Sequence, residues 1–192
     1  MAKLESTMKN MVMSLTFITL IASALLAGAY ALTKDTIDQA QIKNKEQAIK
    51  DVLPDKSAKV EQAVTITLDN YADPFVVYPA TKDGQLVGAA IETYSNEGYG
   101  GKIRIMVGMD DKGTISNYTI LETNETPALG AKADEWFRTK GDIRGKSPAT
   151  TNFKVKKDGG DIEAITASTI TSRAFLSAVQ CAYDAFQKHQ NK

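Results

Sequence analysis

A long uncharged segment near the N-terminus makes this chain a membrane-inserted or exported protein. Met11 to Leu32 reads MVMSLTFITLIASALLAGAYAL, 22 residues without Asp, Glu, Lys or Arg. At about 1.5 Å per residue, a helix of that length spans the roughly 30 Å hydrocarbon core of a bilayer. Ala27-Gly28-Ala29 also fits a signal-peptide cleavage site, but the apolar run exceeds the usual signal-peptide core of about 7–15 residues. The sequence therefore favours a membrane helix over a cleaved signal.

The charge balance and the rare residues exclude several classes of function. Lys plus Arg and Asp plus Glu each number 23, so no excess of positive charge is available to hold nucleic acid. The single cysteine, Cys181, can form neither an internal disulfide nor a Cys-ligated iron–sulfur cluster. The single histidine, His189, argues against a His-dependent triad and a His-rich metal site, and no metal is expected. Redox chemistry in this chain would therefore require an organic cofactor.

Residues 33–54 carry apolar side chains at loosely helical spacing among many charges, and Pro54 ends the pattern. A helical stalk that leaves the membrane and a solvated linker helix explain this segment equally well. We expect a soluble domain over 55–192. Alternating β-branched residues and Gly-containing turns predict antiparallel strands within 60–68, 75–78, 85–94, 102–109 and 114–122.

The last third of the chain predicts helices and one further hairpin. A helix is expected over 131–140, with Trp136 and Phe137 in the core, and a hairpin-like pair over 153–155 and 161–165. An amphipathic helix closes the chain, and Cys181 lies on its apolar face as a small core residue. The pattern predicts an α+β fold, in which a single transmembrane helix precedes a twisted antiparallel sheet with packed helices.

A turn rich in hydroxyl side chains precedes this last helix. Its members are Thr166, Ser168, Thr169, Thr171 and Ser172. Ser and Thr at a helix start commonly cap unpaired backbone N–H groups, although one or two hydroxyls would suffice. The same position favours negative charge and could hold or be esterified by a phosphate. From the residues alone, capping is the preferred explanation.

The segment Glu163 to Ser172, EAITASTITS, resembles the flavinylation motif of the FMN-binding domain family. That motif usually reads Asp-x-x-Ser/Thr-Gly-Ala-Thr followed by x-Thr-Ser, and its last core Thr carries FMN through a phosphoester bond. The resemblance places this covalent bond on Thr169, beside Thr166, Ser168 and Thr171, and leaves Thr171 or Ser172 to cap the helix. The sequence departs from the motif at Glu163, Ala167 and Ser168.

A second stretch, residues 98–140, resembles the other signature of the family, a Gly-Tyr-Gly-Gly strand followed by His-x-Glu-Thr-Pro-Gly-Leu-Gly and a helix. Here the loop reads TNETPALG, so that Thr123 replaces His and Ala128 replaces Gly. The resemblance implies that the flavin site is also lined by Tyr99, Glu125, Thr126, Leu129 and Gly130. Gly130 would let the backbone approach a ligand closely.

Within the family, the chain is most similar to the G subunits of Rnf complexes, membrane-bound ferredoxin:NAD+ oxidoreductases that translocate Na+ or H+. The resemblance implies an electron-carrying subunit that is not catalytic alone, with other Rnf subunits as partners and an ApbE-type flavin transferase for maturation. The alternatives are the C subunit of the Na+-translocating NADH:quinone reductase, and a membrane-anchored binding or assembly domain without cofactor.

The location follows from the same resemblance, because lysines flank the membrane segment on both sides and do not fix its orientation. It implies a single-pass protein of the bacterial inner membrane. Residues 1–10 would be cytoplasmic, 11–32 would span the bilayer, and the FMN-binding domain would be extracytoplasmic.

Overall fold

The computed structural model describes residues 7–69, 71 and 73–191. The helices are α1 (Met8–Val52), α2 (Ala133–Trp136) and α3 (Thr169–Gln190), and 3-10 turns occupy Gly130–Lys132 and Lys156–Asp158. The strands are β1 (Lys59–Val60), β2 (Val64–Ile66), β3 (Phe75–Lys82), β4 (Gln85–Gly98), β5 (Gly101–Asp110) and β6 (Ile115–Glu122). Packing divides the chain after Lys43 into an N-terminal unit and a compact domain. The predicted α+β fold is confirmed.

The helix α1 contains the predicted membrane segment and runs on without a break to Val52. It is long and apolar enough to cross a membrane, and large side chains such as Leu25 and Leu26 lie exposed along it. Its hydroxyls bond within the helix, since Thr16 and Thr33 each donate to the carbonyl four residues earlier, at 2.8 Å. Such bonds satisfy polar groups where water is absent. Of the predicted N-terminal segment, residues 1–6 lie outside the described residues.

The six strands form one antiparallel sheet in the order β1-β3-β4-β5-β6, and β2 also pairs with β3. Consecutive strands from β3 to β6 are neighbours, as hairpin connections require. The strand β4 is 14 residues long and extends beyond the predicted end at Tyr94, because Ser95 pairs with Ile103 and Gly98 with Gly101. The sheet thereby carries the Gly-rich turn to the edge of the domain.

One face of the sheet is covered by α3. The phenyl rings of Phe137 and Phe175 stack 4.4 Å apart, and Tyr118 meets Phe175 edge-on at 5.1 Å. Thr93 of β4 donates a hydrogen bond to the Ala178 carbonyl of α3 at 3.0 Å, so the helix is held to the sheet by a polar contact inside the core. Cys181 is buried in this core, as predicted.

The other face of the sheet receives the last turns of α1. Ala48, Ile49, Val52 and Leu53 are buried against Ala80, Ala90 and Met106. The C-terminal carbonyls of a helix lack partners within the helix. Here the Ser116 hydroxyl of β6 donates to the Val52 carbonyl, and the Asn117 amide donates to the Asp51 carbonyl at 3.0 Å. The end of α1 is therefore part of the domain core.

A charged cluster lies on this second face. Glu92 of β4 pairs with Lys45 of α1 at 2.6 Å and with Arg104 of β5, which also pairs with Glu122 of β6 at 3.1 Å. Burial opposes ionisation of Glu92, but the two cations outweigh it and hold the pKa of Glu92 below its ordinary value. The cluster joins the end of α1 to three strands.

The helix predicted over 131–140 is much shorter than expected. A 3-10 turn and the four-residue α2 end at Trp136. In a longer helix the Asp134 carbonyl would accept a hydrogen bond from the Arg138 backbone N–H. Here it accepts hydrogen bonds from the Tyr118 hydroxyl at 2.7 Å and from Arg138 Nε at 3.1 Å. The Arg138 backbone N–H bonds instead to Glu135.

The hairpin predicted over 153–155 and 161–165 is wrong. The structure has a single parallel bridge between Val155 and Ile162. The connection forms a 3-10 turn that ends at Gly159 with φ of 79°. The Ile162 N–H then donates to the Lys154 carbonyl and the Lys156 N–H donates to the Ile162 carbonyl, which is the hydrogen-bond pattern of a parallel pair.

Candidate functional site

A cavity of about 570 Å³ opens where the Gly-rich turn, the loop after β6 and the start of α3 meet. Its wall is formed by Tyr99, Glu125, Thr126, Leu129, Ala167, Ser168, Thr169, Ile170 and Thr171. The two sequence motifs thus share one wall, although more than 30 residues separate Leu129 from Ala167. Of the predicted site residues, Thr166 and Gly130 do not line it: Thr166 is exposed nearby, and Gly130 is buried behind Glu125.

Glu125 joins the three segments that build the cavity. Its side chain accepts a hydrogen bond from the Gly100 backbone N–H at 3.2 Å and another from the Thr171 hydroxyl at 2.9 Å. The residue is only 7% exposed. One carboxylate from the loop after β6 therefore holds the Gly-rich turn on one side and α3 on the other.

Glycines make this close packing possible. A Cβ atom on Gly130 would lie 2.7 Å from the Thr171 hydroxyl oxygen, and one on Gly98 would lie 2.8 Å from Glu125 Oε1. A Cβ atom on Gly100 would overlap the Asn124 carbonyl. The turn and the loop touch backbone to backbone, which only residues without a side chain permit.

The hydroxyls of the α3 start do not cap the helix. Ser168 is the N-cap residue but makes no capping hydrogen bond with its side chain. Thr171 bonds to Glu125, while the Ser172 hydroxyl donates to the Ser168 carbonyl and accepts from the Ile165 N–H. The expectation that Thr171 or Ser172 caps the helix is wrong, because both side chains point into the core.

The start of α3 consequently keeps unused donors at the cavity wall. Within the described residues, the backbone N–H groups of Thr169, Ile170 and Thr171 have no acceptor, and the Thr169 hydroxyl makes no hydrogen bond. Thr169 is partly exposed. The helix dipole adds partial positive charge at the same end of this 22-residue helix. The arrangement can bind an anionic group and leaves the Thr169 hydroxyl accessible for modification.

The rim of the cavity is apolar. Tyr99 is 73% exposed, Ile170 49% and Leu129 40%. Among described residues beyond Lys43, these are the exposed large apolar side chains. Ile170 was not predicted as a site residue. Its helical spacing from the buried Ala174 and Ala178 predicts that it lies on the apolar face of α3, and only the structure shows that it is exposed at the cavity.

Two residues of the cavity loops have left-handed backbone conformations without being glycine. Ala128 has φ of 63° and Ala167 has φ of 61°. Both stand where the family motif carries Gly, so the two departures in which Ala replaces Gly occupy positions whose backbone conformation favours Gly. A left-handed conformation costs an L-residue roughly 1–2 kcal/mol.

We expect Ala128→Gly and Ala167→Gly each to raise the free energy of unfolding by about 1 kcal/mol, because glycine relieves the strained φ. Chemical denaturation followed by the fluorescence of Trp136 measures this. Ala149→Gly is the matched control, since Ala149 lies exposed in a turn and lacks positive φ. Equal losses of stability in all three variants would contradict the prediction.

Comparison with known proteins identifies the same region. Residues 98–184 match the FMN-binding domain, and this span contains the entire cavity wall. The G subunit of the ion-translocating oxidoreductase complex of Vibrio cholerae serotype O1 is 34% identical, over 90% of this chain and 87% of its own. The proteins of the same name from Aliivibrio fischeri and Shewanella piezotolerans are 32% and 31% identical, over 97% and 98% of this chain and 94% and 93% of theirs.

Proposed function

This chain belongs to the family of G subunits of ion-translocating oxidoreductase complexes, the Rnf complexes, and we propose that it carries electrons through FMN esterified to Thr169. It is an electron-transport subunit with an FMN-binding domain. The family assignment favours the Rnf complex over the Na+-translocating NADH:quinone reductase. The complex would pass electrons between ferredoxin and NAD+ and couple this to Na+ or H+ translocation, a task that this subunit does not perform alone.

One observation carries the proposal. Thr169 has a partly exposed hydroxyl without a hydrogen-bond partner among the described residues, and it stands on a cavity wall beside three unused backbone N–H groups. A phosphoester at this hydroxyl would lie at the N-terminus of α3, where N–H groups and the dipole offset its charge. The neighbouring hydroxyls of Thr171 and Ser172 are already used within the fold.

The cavity also suits the rest of the cofactor. Tyr99, Leu129 and Ile170 offer exposed apolar surface to a planar ring system, while Glu125 and Thr126 offer polar groups. When bound, FMN supplies one- and two-electron transfer. The residues of this chain hold it in place, keep water from part of it and set the electrostatic potential around it.

Maturation requires a flavin transferase of the ApbE type that uses FAD as donor. Such an enzyme must reach the acceptor hydroxyl, and the exposed neighbours Thr166 and Ala167 leave Thr169 accessible on a turn. Ser168 lies beside it on the same wall and is the second candidate acceptor.

The helix α1 and the membrane-complex family indicate a membrane protein. We place it in the bacterial inner membrane, with residues 1–10 in the cytoplasm and 11–32 in the bilayer. Residues 33–54, whose last turns pack on the sheet, and the domain from 55 onward would lie on the extracytoplasmic side. A reporter that is active only in the cytoplasm, fused after Asn191, should remain inactive. An active reporter would refute this orientation.

The proposed cofactor linkage is tested by expressing the full chain with and without an ApbE-type transferase. With the enzyme, yellow flavin fluorescence should stay with the polypeptide after denaturation and gel filtration. Without it, the denatured chain should be colourless. A colourless chain in the presence of an active transferase would refute the covalent linkage, and a native protein that also bound no FMN would favour a cofactor-free binding domain.

A further inference from the structure

Glu125 is a buried carboxylate without a positively charged partner. Among the described residues, no Lys, Arg or His nitrogen lies within 4.0 Å of it, whereas Glu92, the other largely buried glutamate, is paired with two cations. Within the described residues, its negative charge is compensated only by two hydrogen bonds, from the Gly100 backbone N–H and from the Thr171 hydroxyl. A buried charge so weakly compensated costs stability, and such groups are concentrated at functional sites.

The carboxylate also faces the cavity. An ionised carboxylate offers about four acceptor positions, of which Glu125 uses two within the fold. Glu125 and Thr169 line the same wall, and a sphere of about 570 Å³ is roughly 10 Å across. A ligand attached at Thr169 that fills this cavity therefore lies within about one Debye length of the charge.

From this juxtaposition we infer that Glu125 lowers the reduction potential of the flavin, an inference that rests on the proposed function. Glu125 opposes the uptake of two electrons and one proton by the ring system, because that uptake adds one net negative charge beside the carboxylate. The electrons come from the complex and the proton from water. At an effective dielectric constant of about 20, the repulsion between two unit charges about 10 Å apart changes the equilibrium constant for flavin reduction about tenfold.

A merely structural role for Glu125 makes a different prediction. If the carboxylate only held Gly100 to α3, then any variant that weakens this link would loosen the cavity and move the potential in the same direction. Two near-isosteric variants separate the roles. Glu125→Gln removes the charge but keeps polar atoms toward Gly100 and Thr171, since the threonine hydroxyl can also accept a hydrogen bond. Thr171→Val removes the hydrogen bond and keeps the charge.

The test is a spectroelectrochemical titration of the full-length flavoprotein in detergent near neutral pH. Glu125→Gln should shift the midpoint potential upward, so that the oxidised-to-reduced ratio at a fixed ambient potential falls about tenfold. Thr171→Val should shift it downward, because the carboxylate loses part of its neutralisation. Glu122→Gln, on the exposed end of β6, is the charge-matched control and should stay close to wild type.

Shifts in the same direction for Glu125→Gln and Thr171→Val, or a Glu125→Gln shift no larger than that of the control, would overturn the inference. If Glu125→Gln does not accumulate as a folded flavoprotein, Thr171→Val decides: a midpoint that is not below wild type contradicts the role of the charge. A wild-type protein without flavin would instead refute the proposed function, so the two failures are distinguishable.

Discussion

Replacing Thr169 with alanine should abolish the covalent flavin, whereas Ser168→Ala should retain it. The Thr169 hydroxyl is the atom to which the phosphoester is proposed to bind, and it makes no other hydrogen bond within the described residues. Removing it should therefore leave the fold intact, with a change in unfolding free energy within about 0.5 kcal/mol. Co-expression with the transferase, followed by flavin fluorescence of the denatured chain, measures the loss.

Peptide mass spectrometry locates the attachment in the wild-type chain. It should find FMN on the peptide that begins the final helix, with fragment ions that assign it to Thr169. Thr166→Ala is a further control, because Thr166 is exposed but does not line the cavity. Loss of the flavin in Ser168→Ala alone would move the site by one residue and leave the function standing. Retention of the covalent flavin in both variants would refute the assignment to Thr169.

The sequence contained enough local signal to predict most of the sheet. Alternation with β-branched residues located the strands, since period-two patterning is a property of a strand's own residues. Their ends were less predictable. β4 runs past Tyr94 because its partner β5 continues to pair with it as far as Gly101. Pairing between two segments cannot be predicted from the residues of either segment alone.

The same distinction explains the short helix after Gly130. Residues 131–140 have helical spacing, but the Tyr118 hydroxyl from β6 and the Arg138 side chain occupy the Asp134 carbonyl. A tertiary contact here overrides local propensity. The predicted hairpin near Val155 failed for a related reason, because Ile162 forms parallel hydrogen bonds with Lys154 and Lys156 that turn composition does not reveal.

For the candidate site, resemblance to the family named most of the side chains that line the cavity, but not how they interact. Nothing in the sequence indicated that Glu125 reaches both Gly100 and Thr171, or that Thr171 and Ser172 point inward and leave the helix uncapped. These contacts join residues up to 46 positions apart.

The close contact between the end of α1 and the sheet predicts the largest stability effect in the domain. Gly108 of β5 lies directly under Val52, and a Cβ atom there would overlap the Val52 carbonyl oxygen. Two rigid backbones meet at this point, so Gly108→Ala cannot be relieved by turning a side chain. The variant must instead lift the helix end from the sheet, and this would expose Val52, Leu53 and Met106 to water.

We expect Gly108→Ala to lower the free energy of unfolding by at least about 3 kcal/mol, since burying each large aliphatic side chain contributes about 1.5–3 kcal/mol. Denaturant titration of the full chain in detergent, followed by Trp136 fluorescence, measures this. Gly28→Ala is the matched control, because nothing lies within 4 Å of a Cβ atom there and alanine favours helix. A loss below about 1 kcal/mol in Gly108→Ala, typical of an ordinary substitution, would show that the helix end is not part of the core.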